Sequence, residues 1–170
     1  DAWITPTMDW QWVGDVAIDP NNPRKLVGKP GEGVMWNGLK GGTRDLYTKE
    51  KYTDLEAHIE FVIPKGSNSG VKMMGRYEIQ ITDSINAKEL TGDCCGGIYP
   101  IAEDKPFYHH IDKGVGPKVN AAKPAGEWQS LDIVFRAPRF DANGKKISHA
   151  HFVKVVLNDK VVHENVDVEF

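Results

Sequence analysis

Apolar and polar side chains alternate with a period of two along several stretches of the chain, the pattern of half-buried strands. In "DLEAHIEFVI" (54–63), Leu55, Ala57, Ile59, Phe61 and Ile63 share one face, and Glu56, His58 and Glu60 the other. "GRYEIQITDS" (75–84) sets Tyr77, Ile79 and Ile81 against Arg76, Glu78, Gln80 and Thr82, then runs into Asp83. "EWQSLDIVFRA" (127–137) sets Leu131, Ile133 and Phe135 against Ser130, Asp132 and Val134. "VKMM" reads as a further short strand, and "AHFVKVVL" and "KVVHE", joined by Asn158-Asp159, as a hairpin. Helical periodicity is weak throughout. "PKGSNSG" (64–70) is rich in turn formers, and residues 82–127 are mostly irregular. So long an irregular stretch inside a compact domain is usually functional. Many short strands without alternating helices predict an all-β fold: a two-sheet antiparallel sandwich of jelly-roll type, forming a single domain over residues 1–170.

Composition narrows this little. At 170 residues, 40% hydrophobic and 26% charged, the chain has the make-up of one globular domain and not of a disordered segment. A net charge of -3 with scattered basic residues gives no footprint for nucleic acid. The longest apolar runs, such as "VKVVL", are too short to span a bilayer. The adjacent Cys94 and Cys95 cannot easily reach normal disulfide geometry, so two free, partly buried thiols are expected. No leader is visible and the chain opens at Asp1 without a Met, which fits a mature or trimmed chain and leaves the compartment open.

The candidate chemistry lies on the polar faces. If the strands carrying His58 and Glu78 belong to one sheet, then Glu56, His58, Glu60, Arg76, Glu78 and Gln80 form one continuous surface. A solvated outer face is the plain alternative. Carboxylates, an imidazole, a guanidinium and an amide in a small area instead suit hydrogen bonds to sugar hydroxyls, and such neighbours shift one another's pKa values toward acid–base work. Asp83 serves equally as a turn cap or a site residue, and Asn68 fits a turn better than a site. Trp10, Trp12 and Trp36 read as core side chains more readily than as sugar-stacking ones, and Trp128 as core or a loop anchor. His149 and His151 read as surface or edge residues, and Arg136 and Arg139 as ion-pair partners of Asp132 or Asp141.

The run Glu78-Ile-Gln-Ile-Thr-Asp83 has the spacing of the E-x-D-x-x-E strand motif of laminarinase-like glucanases, with Gln80 for the middle Asp and Asp83 for the final Glu. In a regular strand Glu78 and Asp83 would stand roughly 16 Å apart on opposite faces, too far for a carboxylate pair. A second resemblance covers most of the chain from about Tyr47. "YTDLEAHIEFVIPKGSNSGVKMMGRYEIQITDS", "GDCCGGIY", "PAGEWQSLDIVFRAPRFDANGKKI" and "VVLNDKVVHENVDV" are similar to segments of the 3-keto-disaccharide hydrolase family. That resemblance implies a concanavalin A-like sandwich and cleavage of 3-keto-glycosides. A 3-keto group acidifies the C2 proton, so one base removes it as the C1 oxygen departs, and water adds to the enone.

On that resemblance Glu78 is the leading catalytic carboxylate, with His58 and Glu60 as further catalytic candidates and Arg76, Gln80, Asp83, Asp93 and His109 as substrate-binding residues. A divalent ion held by His58, Glu60, Glu78 and the His109-His110 pair would polarise the ketone, though no ligand spacing requires one and the cofactor stays unassigned. The partner implied is a keto-sugar, with no nucleic acid and no membrane insertion, in a periplasmic or secreted setting. A carbohydrate-binding domain without turnover is the alternative, and would show exposed aromatics on the polar face and no perturbed carboxylate. A structural domain would show an exposed apolar patch instead.

Overall fold

A computed structural model of the chain describes residues 2–4 and 10–169. These residues form strands and loops with no helix among them. In chain order the strands are β1 (Trp3–Ile4), β2 (Gln11–Asp19), β3 (Asn22–Trp36), β4 (Tyr47–Thr48), β5 (Leu55–Phe61), β6 (Asn68–Met73) and β7 (Tyr77–Thr82). They continue with β8 (Ala102–Glu103), β9 (His109–His110), β10 (Gln129–Arg136), β11 (Arg139–Phe140), β12 (Lys146–Ser148), β13 (Ala150–Leu157) and β14 (Lys160–Val168). Every pairing is antiparallel.

One layer is a four-stranded sheet in the order β14-β13-β10-β5. Its inner face carries Leu131, Ile133, Phe135, Phe152, Val155 and Leu157, all at most 1% exposed. Leu55, Ile59 and Phe61 of β5 pack at the margin of that cluster. Facing it is the β6–β7 hairpin, whose Met73, Tyr77 and Ile79 complete the core. The Tyr77 and Phe135 rings meet across the layers at 5.5 Å, and Phe135 meets Phe152 at 5.1 Å. Each such side chain contributes about 1.5–3 kcal/mol by leaving water, so this cluster is the main source of stability. The alternation expected for β5, β7, β10 and β13 is met at the core face, and so is the all-β antiparallel architecture.

The second layer continues past β7. Tyr99 N donates to Glu78 O and Gln80 N to Gly97 O, bringing residues 96–99 alongside β7. Ile98 then pairs with Val115. Much of the long irregular stretch is thereby stitched to the sheet edge one short bridge at a time.

Several local expectations are corrected. The long β2–β3 hairpin went unread, because Gly28, Pro30, Gly31 and Gly33 interrupt alternation in β3. β6 begins at Asn68, inside the stretch expected to be loop, and Arg76 lies in the β6–β7 turn. Trp12 is 51% exposed and so is not core; Trp128, expected as core or loop anchor, is 40% exposed and takes the anchor role, reaching the Asp15 carboxylate from its loop. Arg139 pairs with Asp54 at 2.6 Å, not with Asp132 or Asp141, because its turn comes back beside the residue preceding β5. Cys94 and Cys95 are free thiols, as expected, but both are buried.

Candidate functional site

Period-two alternation puts the inward residues of β7 in the core and turns Glu78 and Gln80 to the opposite, outer face. Register then sets their neighbours. Lys72 of β6 stands directly opposite Glu78, and Gly70 opposite Gln80. On the other side the hydrogen bonds place Tyr99 across from Glu78 and Gly97 across from Gln80. The outer face therefore has two parallel rows: Lys72, Glu78 and Tyr99 in one, and Gly70, Gln80 and Gly97 in the other.

The glycine row is covered. A Cβ on Gly97 would come within 2.6 Å of the Gly92 carbonyl and 2.9 Å of the Cys94 carbonyl, so the 90–94 loop rests on this face. Gln80 in the same row is only 2% exposed, with Oε1 accepting from Ile81 N at 3.1 Å. The charged row stays accessible. Glu78 keeps 18% of its side-chain surface, 3.8 Å from Lys72 Nζ, which also lies 3.7 Å from Asp45. Burial pushes the Glu78 carboxyl above the usual carboxylate range, Lys72 pulling it down and Asp45 adding to the rise.

Tyr99 extends the row. Burial, aided by its hydrogen bond to Tyr108, pushes the Tyr99 hydroxyl up to about 12, with the charges of Asp93 and Glu78 adding to the shift. Tyr108 Oη lies 3.3 Å from His110 Nε2, and the His110 ring meets Tyr99 edge-on at 5.3 Å. Tyr99, Tyr108 and His110 thus form one connected group, and Glu78 stands next to Tyr99 in the cross-strand row. The row joins a half-buried carboxyl of raised pKa to a hydroxyl that stays protonated at neutral pH, which is equipment for moving a proton next to a developing oxyanion.

The structure scatters some of the residues singled out from sequence. His58 and Glu60 lie on β5, in the four-stranded sheet and not in the sheet of Glu78. Because Ile59 and Ile79 both point into the core between the layers, His58 and Glu78 project from opposite sides of the sandwich. The continuous polar face expected from sequence does not form. His58 instead holds Asp132 at 2.6 Å across the β5–β10 ladder, and that carboxylate raises its pKa. Arg76 is exposed in the turn two residues before Glu78. Asp83 accepts from Gly66 N at 2.9 Å and so closes the 64–67 turn. Asp93 is exposed on the covering loop. His109 bonds the Phe107 carbonyl at 2.9 Å, and alternation sends it away from its neighbour His110, which meets Tyr99. Lys72, Tyr99 and Tyr108 were not read from sequence, and His110 was read only as part of a candidate metal set. The "VKMM" alternation could have placed Lys72 on the Glu78 face, but nothing local reveals the partners of Tyr99.

Among the described residues no three His, Cys, Asp or Glu side chains converge to hold a metal ion. The set imagined from sequence is divided among three sheets, with His58 and Glu60 on β5, Glu78 on β7 and His109-His110 on β9. No described helix is long and apolar enough to cross a membrane.

A surface groove of about 530 Å³ lies elsewhere, lined by Arg136, Arg139, Ser148, His149, His151 and Asp167. Its polar groups are largely committed to neighbours, Arg139 to Asp54 and His151 to Asp167, each at 2.6 Å. It has no half-buried carboxyl of raised pKa, the feature that distinguishes the Glu78 row.

Comparison with known proteins supplies a context for this arrangement. The crystal structure of a protein described as a "putative glycosyl hydrolase" from Parabacteroides distasonis matches 97% of this chain and 63% of its own, at 25% identity and a TM-score of 0.60. A second protein of the same description and organism matches 72% of this chain and 55% of its own, at 24% identity and a TM-score of 0.47. The chain thus spans less than two thirds of either neighbour. No curated protein matches it. The family model described as "3-keto-alpha-glucoside-1,2-lyase-like domain" matches residues 6–170. This match spans nearly the whole chain, and the chain belongs to the 3-keto-alpha-glucoside-1,2-lyase-like domain family.

Proposed function

We propose that the protein cleaves 3-keto-glycosides by elimination and hydration, with Glu78 as the base. The observation that carries this reading is the half-buried Glu78 carboxyl, raised in pKa by burial, in one cross-strand row with Lys72 and Tyr99. Glu78 takes the proton from C2, α to the ketone. The C–H electron pair becomes the C1=C2 double bond as the C1–O bond breaks. The departing oxygen takes up a proton, for which protonated Glu78 is the nearest source in the row. Water then adds across the double bond, its hydroxyl to C1 and its proton to C2, so the net change is hydrolysis.

A base for this step needs a pKa close to working pH, and burial moves Glu78 in that direction. The Tyr99 hydroxyl, pushed up to about 12, stays protonated and donates to the ketone oxygen as negative charge develops there. Arg76 and Asp93, both exposed beside the row, supply contacts for sugar hydroxyls. His58 and Glu60 take no part, since they face the other side of the sandwich. One carboxyl suffices for this chemistry, so the lack of a matched second carboxylate is no obstacle.

Proton NMR in D2O tests the reading with a 3-keto-glucoside and its unoxidised parent. The expected result is cleavage of the keto sugar alone, with deuterium entering at C2. Glu78→Gln is expected to lower the rate by about 10²–10⁴-fold while the protein stays folded. Full activity in Glu78→Gln would sink the assignment and turn attention to the Arg136–His151 groove. If neither sugar is cleaved but either shows line broadening, the protein is a carbohydrate-binding domain.

A further inference from the structure

Gly70, in the middle of β6, has no conformational reason to be glycine. Its φ does not fall in the left-handed region, unlike that of Gly66 or Gly75 on either side. What it lacks is room. A Cβ built on Gly70 would collide with Glu78 Oε1 and lie 2.7 Å from Cδ and 2.8 Å from Cγ of the same side chain. Glu78 therefore does not stand upright between Lys72 and Tyr99. It leans diagonally across the β6–β7 ladder and lays its carboxylate on the bare backbone of Gly70.

We infer that Gly70 is a positioning residue: its missing side chain is the seat that fixes the direction and depth of the Glu78 carboxylate. The inference rests on the reading of Glu78 as the base. Leaning over a backbone shields one side of the carboxylate from water, which is the kind of environment that keeps a carboxyl basic. The charged groups facing it are Lys72 on β6 and Asp45 beyond it, with Tyr99 on the far side of the ladder. An added methyl meets only the far end of a flexible side chain, so Glu78 would swing out with no shift of backbone. Glycine inside a strand is ordinarily a weakness, and one kept at this point fits a local requirement of the site.

Gly70→Ala separates function from stability. It is expected to lower kcat at least ~10-fold with KM little changed, because small displacements of a reacting group cost 10²-fold or so. The acid limb of the pH–rate profile should move to lower pH as the displaced carboxylate gains water, and Tm should hold or rise. In a Glu78→Asp background, whose shorter carboxylate does not reach Gly70, the same change should alter kcat by less than ~3-fold. Equal losses in both backgrounds, or no loss in either, would overturn the inference. Carbon-13 NMR titration of the Glu78 carboxyl reads the seat without turnover: a midpoint lowered by Gly70→Ala supports it, and an unmoved one overturns it. If wild-type protein cleaves no keto sugar, yet Gly70→Ala still lowers the midpoint, only the catalytic reading of Glu78 is defeated.

Discussion

Lys72 shows how finely the proposed base is balanced. It lies within 4 Å of both Glu78 and Asp45, with 43% of its side chain exposed, so it is a screened cation shared by two carboxylates. Burial raises Glu78, Lys72 lowers it and Asp45 raises it again. Lys72→Met removes the one lowering influence. The Glu78 carboxyl should then deprotonate at higher pH, and the acid limb of kcat/KM should move up by about one pH unit or less. A pH–rate profile of the variant checks this, and a downward move would mean that Lys72 acts on the sugar and not on Glu78. At this scale the sequence was legible only in part. Glu78 could be found because alternation places it opposite Ile79, but the burial of Gln80 could not. Gln80 is hidden because Gly97 and Gly116 admit the 90–94 loop onto the face, a contact between segments with no local signature.

Among the elements, the β13–β14 hairpin was readable in advance and its turn does more than reverse the chain. Asn158 and Asp159 adopt φ of 49° and 64°, the left-handed pair that a two-residue hairpin turn demands. The Asn158 side chain donates to Ala121 O at 2.8 Å and Gln129 Oε1 at 3.0 Å, and accepts from Ser130 N at 3.0 Å. One turn residue thereby ties the hairpin to β10 and to the segment before it. Asn158→Ala gives up these bonds and puts alanine in the left-handed region, and should cost about 2–4 kcal/mol in urea unfolding. Asn158→Gly, which keeps only the backbone freedom, should recover part of that loss. The β2–β3 hairpin is the contrasting case. Its second strand carries Gly28, Pro30, Gly31 and Gly33, which erase the alternating signal. A Cβ on Gly14 would meet the Pro30 carbonyl at 2.8 Å, so part of that composition serves close backbone approach, not strand propensity.

Over the whole molecule, the two layers are coupled through a group that the sequence did not point to. His163 of β14 is 1% exposed, and its Nε2 lies 2.8 Å from the Gly96 carbonyl. Gly96 N in turn donates to Gln80 O at 2.8 Å, so the four-stranded sheet is linked through residue 96 to the strand that carries Glu78. Burial holds the His163 pKa below the usual histidine value, with Lys118 adding to the depression and the Gly96 bond opposing it. In the folded protein the ring is therefore neutral where the unfolded chain would already bind a proton. Stability from this residue is full above about pH 6.5 and is lost as pH falls from there toward the folded pKa. His58 has the opposite sign: Asp132 raises its pKa, so its contribution is present at low pH and fades as pH rises through the raised value. Because the His58–Asp132 pair is exposed, its effect is small, and the His163 slope should dominate. The lowered carboxyls of Asp15 and Asp54 act only further into acid. Wild-type Tm should thus decline as pH drops below about 6.5. In His163→Gln an amide donor replaces the ring without titrating, so the protein should start less stable by about 1–2 kcal/mol yet lose less over the same interval. Parallel Tm curves for the two proteins would show that the acid sensitivity arises elsewhere. A flatter curve for the variant would place the first step of acid unfolding at the joint between the core sheet and the strand beside the candidate base.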